Sequence, residues 1–192
     1  MLTLPLNLVL TFIEEYGESS NTDKNISKLV MEVITKIRED KEKGKVLSTK
    51  EIGDTGEALV IQHEKNRLHK HGRDDLVHLV VKIPENLAVG YDIKSYEVNN
   101  EELRYIEVKT TTSIGKLATK SFCMSTNEWR TAKSAREKYY IYRLMISKKD
   151  ISLFIIQDPV GKERQDLLNM IPRNGADITY QESAGYWEEL LA

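Results

Sequence analysis

The chain has 192 residues, 40% of them apolar and 30% charged, which reads as soluble and globular rather than disordered and allows one domain of ordinary size with a helical extension. Its net charge of -2 does not by itself mark a nucleic-acid binder, and its single cysteine, Cys123, excludes both an intramolecular disulfide and a Cys-rich zinc site. A reducing, cytoplasmic setting is the simplest reading of that cysteine usage.

The apolar start lacks the basic flank of a signal peptide: no Lys or Arg precedes Lys24, and Glu14-Glu15 follow directly. No stretch reaches the ~18 apolar residues of a membrane span, so no membrane partner is expected. Residues 6–17 read as a helix. A second begins at Asp23 or Asn25, with Ile26, Leu29, Val30, Val33, Ile34 and Ile37 at helical spacing. The charge run 38–43 leads to Gly44, where we place the boundary between an N-terminal helical extension (1–44) and the main domain (45–192). The apolar stripes of the extension need burial, on the core or across a homodimer interface.

A third helix is expected over 48–71, opened by the capping-box pattern Ser48-Thr49-Lys50-Glu51 and stopped by Gly72. Strand-like segments follow at 77–83, 90–98 and 103–112, the last two joined as a hairpin through Asn99-Asn100-Glu101. Residues 122–125 are extended, 127–137 helical, and 139–146 and 151–157 form two antiparallel strands. The remainder, with Pro159, Pro172 and Gly175, reads mostly as loop, with weak strand signal near Ile178. The order predicts an α/β (α+β) fold: a central mixed sheet flanked by helices.

Three local patterns carry chemistry. In Arg104-Tyr105-Ile106-Glu107-Val108-Lys109-Thr110, strand parity turns Ile106 and Val108 into a core and sets Glu107 and Lys109 side by side on the other face. Alone, such a pair is an ordinary surface ion pair worth ~0–1 kcal/mol. In Gly90-Tyr91-Asp92-Ile93, the hairpin brings Asp92 alongside the Glu107 strand. Two carboxylates and a lysine then converge, the oxygen-rich setting in which Mg²⁺ is held by one or two carboxylates plus waters. In Gly53-Asp54-Thr55-Gly56-Glu57, two helical glycines cost about 1 kcal/mol each relative to Ala. Close approach of another backbone is a reason to tolerate them. Glu64, on the same face as Glu57, reads as part of a solvated face.

These residues resemble the family named after the plant protein NO VEIN, C-terminal domain, which is grouped with the PD-(D/E)XK nuclease-like folds. The likeness runs from Ile52 to about Ile171. It rests on Gly56-Glu57 with Val60 and Glu64, on Gly90-Tyr91-Asp92-Ile93, and on Tyr105-Ile106-Glu107-Val108-Lys109-Thr110. It continues through Ser125-Thr126-Asn127-Glu128-Trp129, Tyr139-Tyr140-Ile141-Tyr142-Arg143 and Phe154-Ile155-Ile156. The resemblance implies a restriction-endonuclease-like sheet and a metal-dependent DNA nuclease with Mg²⁺ or Mn²⁺ as cofactor. Asp92, Glu107 and the Val108 carbonyl would be metal ligands, Lys109 the signature lysine and Glu57 an added helix carboxylate. Tyr91 stands where the family's name has Pro. The resemblance also implies a restriction or defence setting with an ATPase, helicase or methyltransferase partner.

From Arg104 to Asp150 there are eleven Lys and Arg against four Asp and Glu, a local +7 within a chain of -2. That suits contact with phosphates of DNA, RNA not being excluded. Lys116, Lys120, Asn127, Arg130, Lys133 and Arg136 are the candidate nucleic-acid contacts, while Trp129 reads equally as a core anchor. Tyr139, Tyr140 and Tyr142 read as strand and core residues, and the four His show no ligand spacing. The rival reading is a catalytically silent nuclease-fold module that binds nucleic acid or assembles with an ATPase or helicase.

Overall fold

The computed structural model describes residues 48–112, 120–147 and 151–191, with Thr35, Glu39, Lys43 and Gly44 as isolated positions. The helices expected within 1–44, and Lys116, lie outside the described stretches.

Helix α1 spans Thr49–Lys70 and opens on the expected box: the Ser48 side chain accepts the Glu51 N–H, and Glu51 accepts the Ser48 N–H at 2.9 Å. It is followed by a short helix α2 (Asp74–Val77), strand β1 (Val81–Lys82), β2 (Ile93–Tyr96) and β3 (Leu103–Thr112). Then come β4 (Ser121–Met124), α3 (Thr126–Ala135), β5 (Tyr139–Ile146), β6 (Ile151–Gln157), α4 (Pro159–Arg164), β7 (Leu168–Arg173), β8 (Gly175–Tyr180) and β9 (Tyr186–Glu188).

Six strands form a mixed sheet in the order β1-β2-β3-β5-β6-β9. Among the described strands only β3 and β5 are parallel, with Glu107 opposite Ile141 and Lys109 opposite Arg143. Their connection passes through β4 and α3, as a parallel pair requires a crossover. A second, antiparallel sheet has the order β4-β8-β7.

All eight residues of β5 are buried because both faces of the large sheet are covered. Tyr140, Tyr142, Leu144 and Ile146 pack with Leu59, Val60 and Leu68 of α1. Tyr139, Ile141 and Met145 pack on the other side with Trp129 of α3 and with Phe122, Ile178 and Tyr180 of the small sheet. Trp129 is thus a core anchor, and the three tyrosines are core residues.

Three expectations need correction. The strand expected over 77–83 shrinks to Val81–Lys82, because Asp74-Asp75 opens a helical turn that buries Leu76 instead. The tail expected as loop holds α4 and three strands. Asp158 caps α4 by accepting the Gly161 N–H at 2.9 Å with Pro159 in the first turn, and Pro172 is accommodated because β7 is an edge strand.

Glu64 is not solvated but fully buried. It accepts two bonds from Arg67, at 2.9 and 2.7 Å, one from Ser95 Oγ at 2.6 Å and one from Tyr142 Oη at 2.6 Å. Burial pushes its carboxyl up, but the Arg67 bonds and the Arg67 and Arg104 charges outweigh that and hold it at about 2. Among the described residues no helix is long and apolar enough to cross a membrane.

Candidate active site

The hairpin of β2 and β3 sets Ile93 opposite Ile106, which places Asp92 just before the ladder begins. The Asp92 N–H donates to Ile106 O at 2.9 Å, and Asp92 O accepts from Ile83 N at 2.7 Å. Its carboxylate turns onto β3 and accepts the Val108 N–H at 2.8 Å. Asp92 is therefore anchored to the residue that follows Glu107. On an extended strand a residue's N–H and C=O emerge at the same edge, so the Val108 carbonyl points to the side where Asp92 sits.

Parity on β3 follows from the core. Ile106 is fully buried toward α1 and Val108 packs against the same cluster, while Glu107 and Lys109 take the opposite face, toward α3. Glu107 is 4% exposed. Lys109 Nζ donates to Glu107 Oε1 at 2.6 Å and to Glu128 Oε2 at 2.7 Å. Glu128 is the third residue of α3 and also closes its capping box, accepting from Ser125 N at 3.1 Å.

Glu57 reaches the site from α1. Its carboxylate pairs with Lys82 Nζ at 3.0 Å, and Lys82 also lies 3.4 Å from Asp54. The helix comes this close because Gly56 has no Cβ: a Cβ there would overlap Thr110 Oγ1.

The electrostatics are those of crowded carboxylates. Burial and the neighbouring Asp92 charge raise Glu57 to about 7 against the pull of Lys82. Burial raises Glu107 well above the usual carboxylate range; Lys109 opposes this, and Asp92 and Glu128 add to it. Burial also raises Asp92, in spite of its Val108 hydrogen bond. For Lys109 burial favours the neutral amine, but Glu107 and Glu128 outweigh it and hold the ammonium charged well above its ordinary value. Lys109 is thus held as a cation by these two carboxylates.

The Asp92 charge adds to the upward shift of both Glu57 and Glu107. Asp92, Glu107 and the Val108 carbonyl are oxygen donors of the kind a hard divalent cation takes. Among the described residues no group of three or more His, Cys, Asp or Glu is arranged to hold a metal ion. Mg²⁺ keeps waters and needs only one or two carboxylates.

The candidate nucleic-acid contacts divide. Arg130 and Lys133 are exposed on α3. Lys120 pairs with Glu182 at 3.1 Å, and Arg136 pairs with Asp158 at 3.2 Å. Asn127 donates to Ala88 O. Sequence reasoning missed Glu128 and Lys82. Ser125-Thr126-Asn127-Glu128 is the same capping pattern as at Ser48, and that signal could have placed Glu128 in the first turn of a helix. Lys82 carries no such signal, because its position depends on β1 pairing with β2, where it faces Ile93.

No curated protein and no solved structure matches the chain. The family model described as Protein NO VEIN, C-terminal matches residues 56–156, just over half of the chain. The matched span opens at Gly56-Glu57 and contains Lys82, Asp92, Glu107, Lys109 and Glu128. The chain belongs to the Protein NO VEIN, C-terminal family.

Proposed function

We propose that the domain is a metal-dependent phosphodiesterase of the nuclease type acting on DNA. The observation that carries this is the placing of the Asp92 carboxylate on the Val108 N–H, beside Glu107 and the doubly paired Lys109. Asp92, Glu107 and the Val108 carbonyl would hold Mg²⁺ or Mn²⁺. When bound, such a cation polarises a phosphate and lowers the pKa of an attacking water.

The protein's own groups supply the rest. Lys109, held charged, orients the attacking water and offsets negative charge as it develops on the phosphoryl oxygens. Glu57, at about 7, is poised near neutrality to take a proton or to complete the acidic edge. Glu128 would keep the lysine paired were Glu107 to serve as a ligand of that cation. The basic segment after Arg104 favours a polyanion. The partner implied by the resemblance, an ATPase, helicase or methyltransferase, would deliver the DNA.

The test is a titration of wild type and Asp92→Ala with Mg²⁺ and Mn²⁺, read as thermal stabilisation. A ligand at 100 times its Kd stabilises by about 2.7 kcal/mol. Wild type should gain on this scale and Asp92→Ala should gain nothing. Identical responses would sink the catalytic reading and leave a silent binding module in its place.

A further inference from the structure

The segment that delivers Asp92 is gripped at three successive carbonyls. Ala88 O accepts from Asn127 Nδ2, Val89 O from Thr131 Oγ1 at 2.8 Å, and Gly90 O from Tyr139 Oη at 2.9 Å. Asn127 and Thr131 are four apart on α3 and share one face of the helix. Tyr139 opens β5 and is fully buried. Gly90 has φ +80, and a Cβ there would lie 2.7 Å from Asn127 O. Glycine is thus what lets the segment lie against the helix.

This pattern exceeds ordinary loop packing. Residues 88–90 lie outside any strand, so the large sheet gives them no ladder. All three carbonyls are satisfied by side chains from elements that follow β3. Glu128, between Asn127 and Thr131 in sequence, holds Lys109. One helix therefore holds both the segment leading to Asp92 and the lysine.

We infer that Asn127, Thr131 and Tyr139 are positioning residues: by holding residues 88–90 they keep the Asp92 carboxylate on the Val108 N–H, and so set the cation affinity of the site. The link to cation affinity rests on the metal-site reading of Asp92. The positioning itself does not. Groups that orient metal ligands typically change affinity by about 10–100-fold when removed.

The experiment uses the full chain with Thr131→Val and Tyr139→Phe, each of which deletes a donor at nearly constant volume, and Thr131→Ser, which keeps one. Two quantities are read: Mn²⁺ affinity by calorimetry, and exchange of the Val108 amide relative to the other β3 amides. Thr131→Val and Tyr139→Phe should weaken Mn²⁺ binding by about tenfold and speed exchange at Val108 selectively. Thr131→Ser should behave as wild type. Wild-type Val108 exchange in both donor-deleting variants overturns the inference. So does a uniform rise along all of β3, which would mark a merely structural role. If wild type takes up no Mn²⁺ but Val108 still loosens selectively, the positioning stands and the proposed function fails. If Mn²⁺ binds equally to all and Val108 is unmoved, the reverse holds.

Discussion

Lys109 Nζ lies 2.7 Å from Glu128 Oε2, a bond between the middle of β3 and the first turn of α3. Glu128 thereby gives the lysine a partner that does not depend on Glu107. Charge on a buried ammonium costs desolvation unless it is paired, and here two carboxylates hold it. Lys109→Ala should leave Mn²⁺ binding intact, since a charged lysine is not a ligand. It should lower DNA cleavage by about 10²–10³-fold, the scale of losing a preorganised electrostatic group. Glu128→Gln keeps an acceptor for the capping box but removes one charge from the lysine, so cleavage should fall less than in Lys109→Ala. Parallel calorimetry and single-turnover cleavage separate the two effects. Loss of Mn²⁺ binding in Lys109→Ala would contradict the assignment.

The approach of α1 to β3 depends on a missing side chain. A Cβ on Gly56 would meet Thr110 Oγ1 and lie 2.8 Å from Thr110 Cβ, so the helix or the strand must shift. Gly56→Ala should therefore destabilise by about 1–3 kcal/mol, the usual cost of overpacking, although alanine favours a helix over glycine. Thr110→Ala in the same chain removes the hydroxyl and should recover part of the loss. Urea midpoints of the two single variants and the double variant measure this. A Gly56→Ala chain as stable as wild type would show that the two elements do not touch so closely.

His63 gives a pH dependence of definite sign. It is fully buried, and its Nδ1 accepts the Leu191 N–H at 3.1 Å. Burial lowers it to about 4, and the Arg67 and Arg104 charges add to this against the pull of Glu64. A histidine depressed in the folded state stabilises when neutral. That contribution is complete above its ordinary 6.5 and is lost as pH falls toward 4, amounting to about 2 kcal/mol by pH 5. Glu57, raised to about 7, works the other way, because the folded state takes up its proton first and stability grows as pH falls from 7 toward 4.5. The difference between wild type and His63→Gln isolates the histidine. With chelator present, wild type should lose stability relative to His63→Gln between pH 7.5 and 5. Parallel pH profiles would refute the buried neutral state.

Much of this architecture is legible in the sequence. Alternation in Arg104-Tyr105-Ile106-Glu107-Val108-Lys109 fixes which face each side chain takes, because the period of a strand is two and Ile106 must be buried. Ser48 and Glu51 mark the helix start by a local bond that needs no tertiary context. The burial of Glu64 is not legible there, for the opposite reason. Nothing nearby in sequence says that Ser95 and Tyr142 will arrive to satisfy it, and a carboxylate without those partners belongs in water. The second sheet was hidden likewise. β4 has only four residues, β7 contains a proline, and the pairing of β8 with Ser121–Met124 spans more than fifty residues of chain. The hold on residues 88–90 depends on α3 and β5 together, so no window of sequence contains it.

The basic residues around α3 can be sorted by what they already hold. Arg130 and Lys133 are exposed, whereas Arg136 Nε lies 3.2 Å from Asp158 and takes part in joining the end of α3 to the start of α4. Each cation that neutralises a phosphate contributes ~0.9 to the slope of log K against log salt. Arg130→Ala with Lys133→Ala should therefore weaken DNA binding and flatten that slope by roughly one to two. Arg136→Ala should leave the slope unchanged and lower stability instead, since Asp158 loses its cation while still capping α4. Binding measured by fluorescence anisotropy at several salt concentrations distinguishes them, with Asp92→Ala used throughout to prevent cleavage. If Arg136→Ala alone flattens the slope while the Arg130 and Lys133 pair does not, the DNA path runs past the end of α3 rather than along its exposed face.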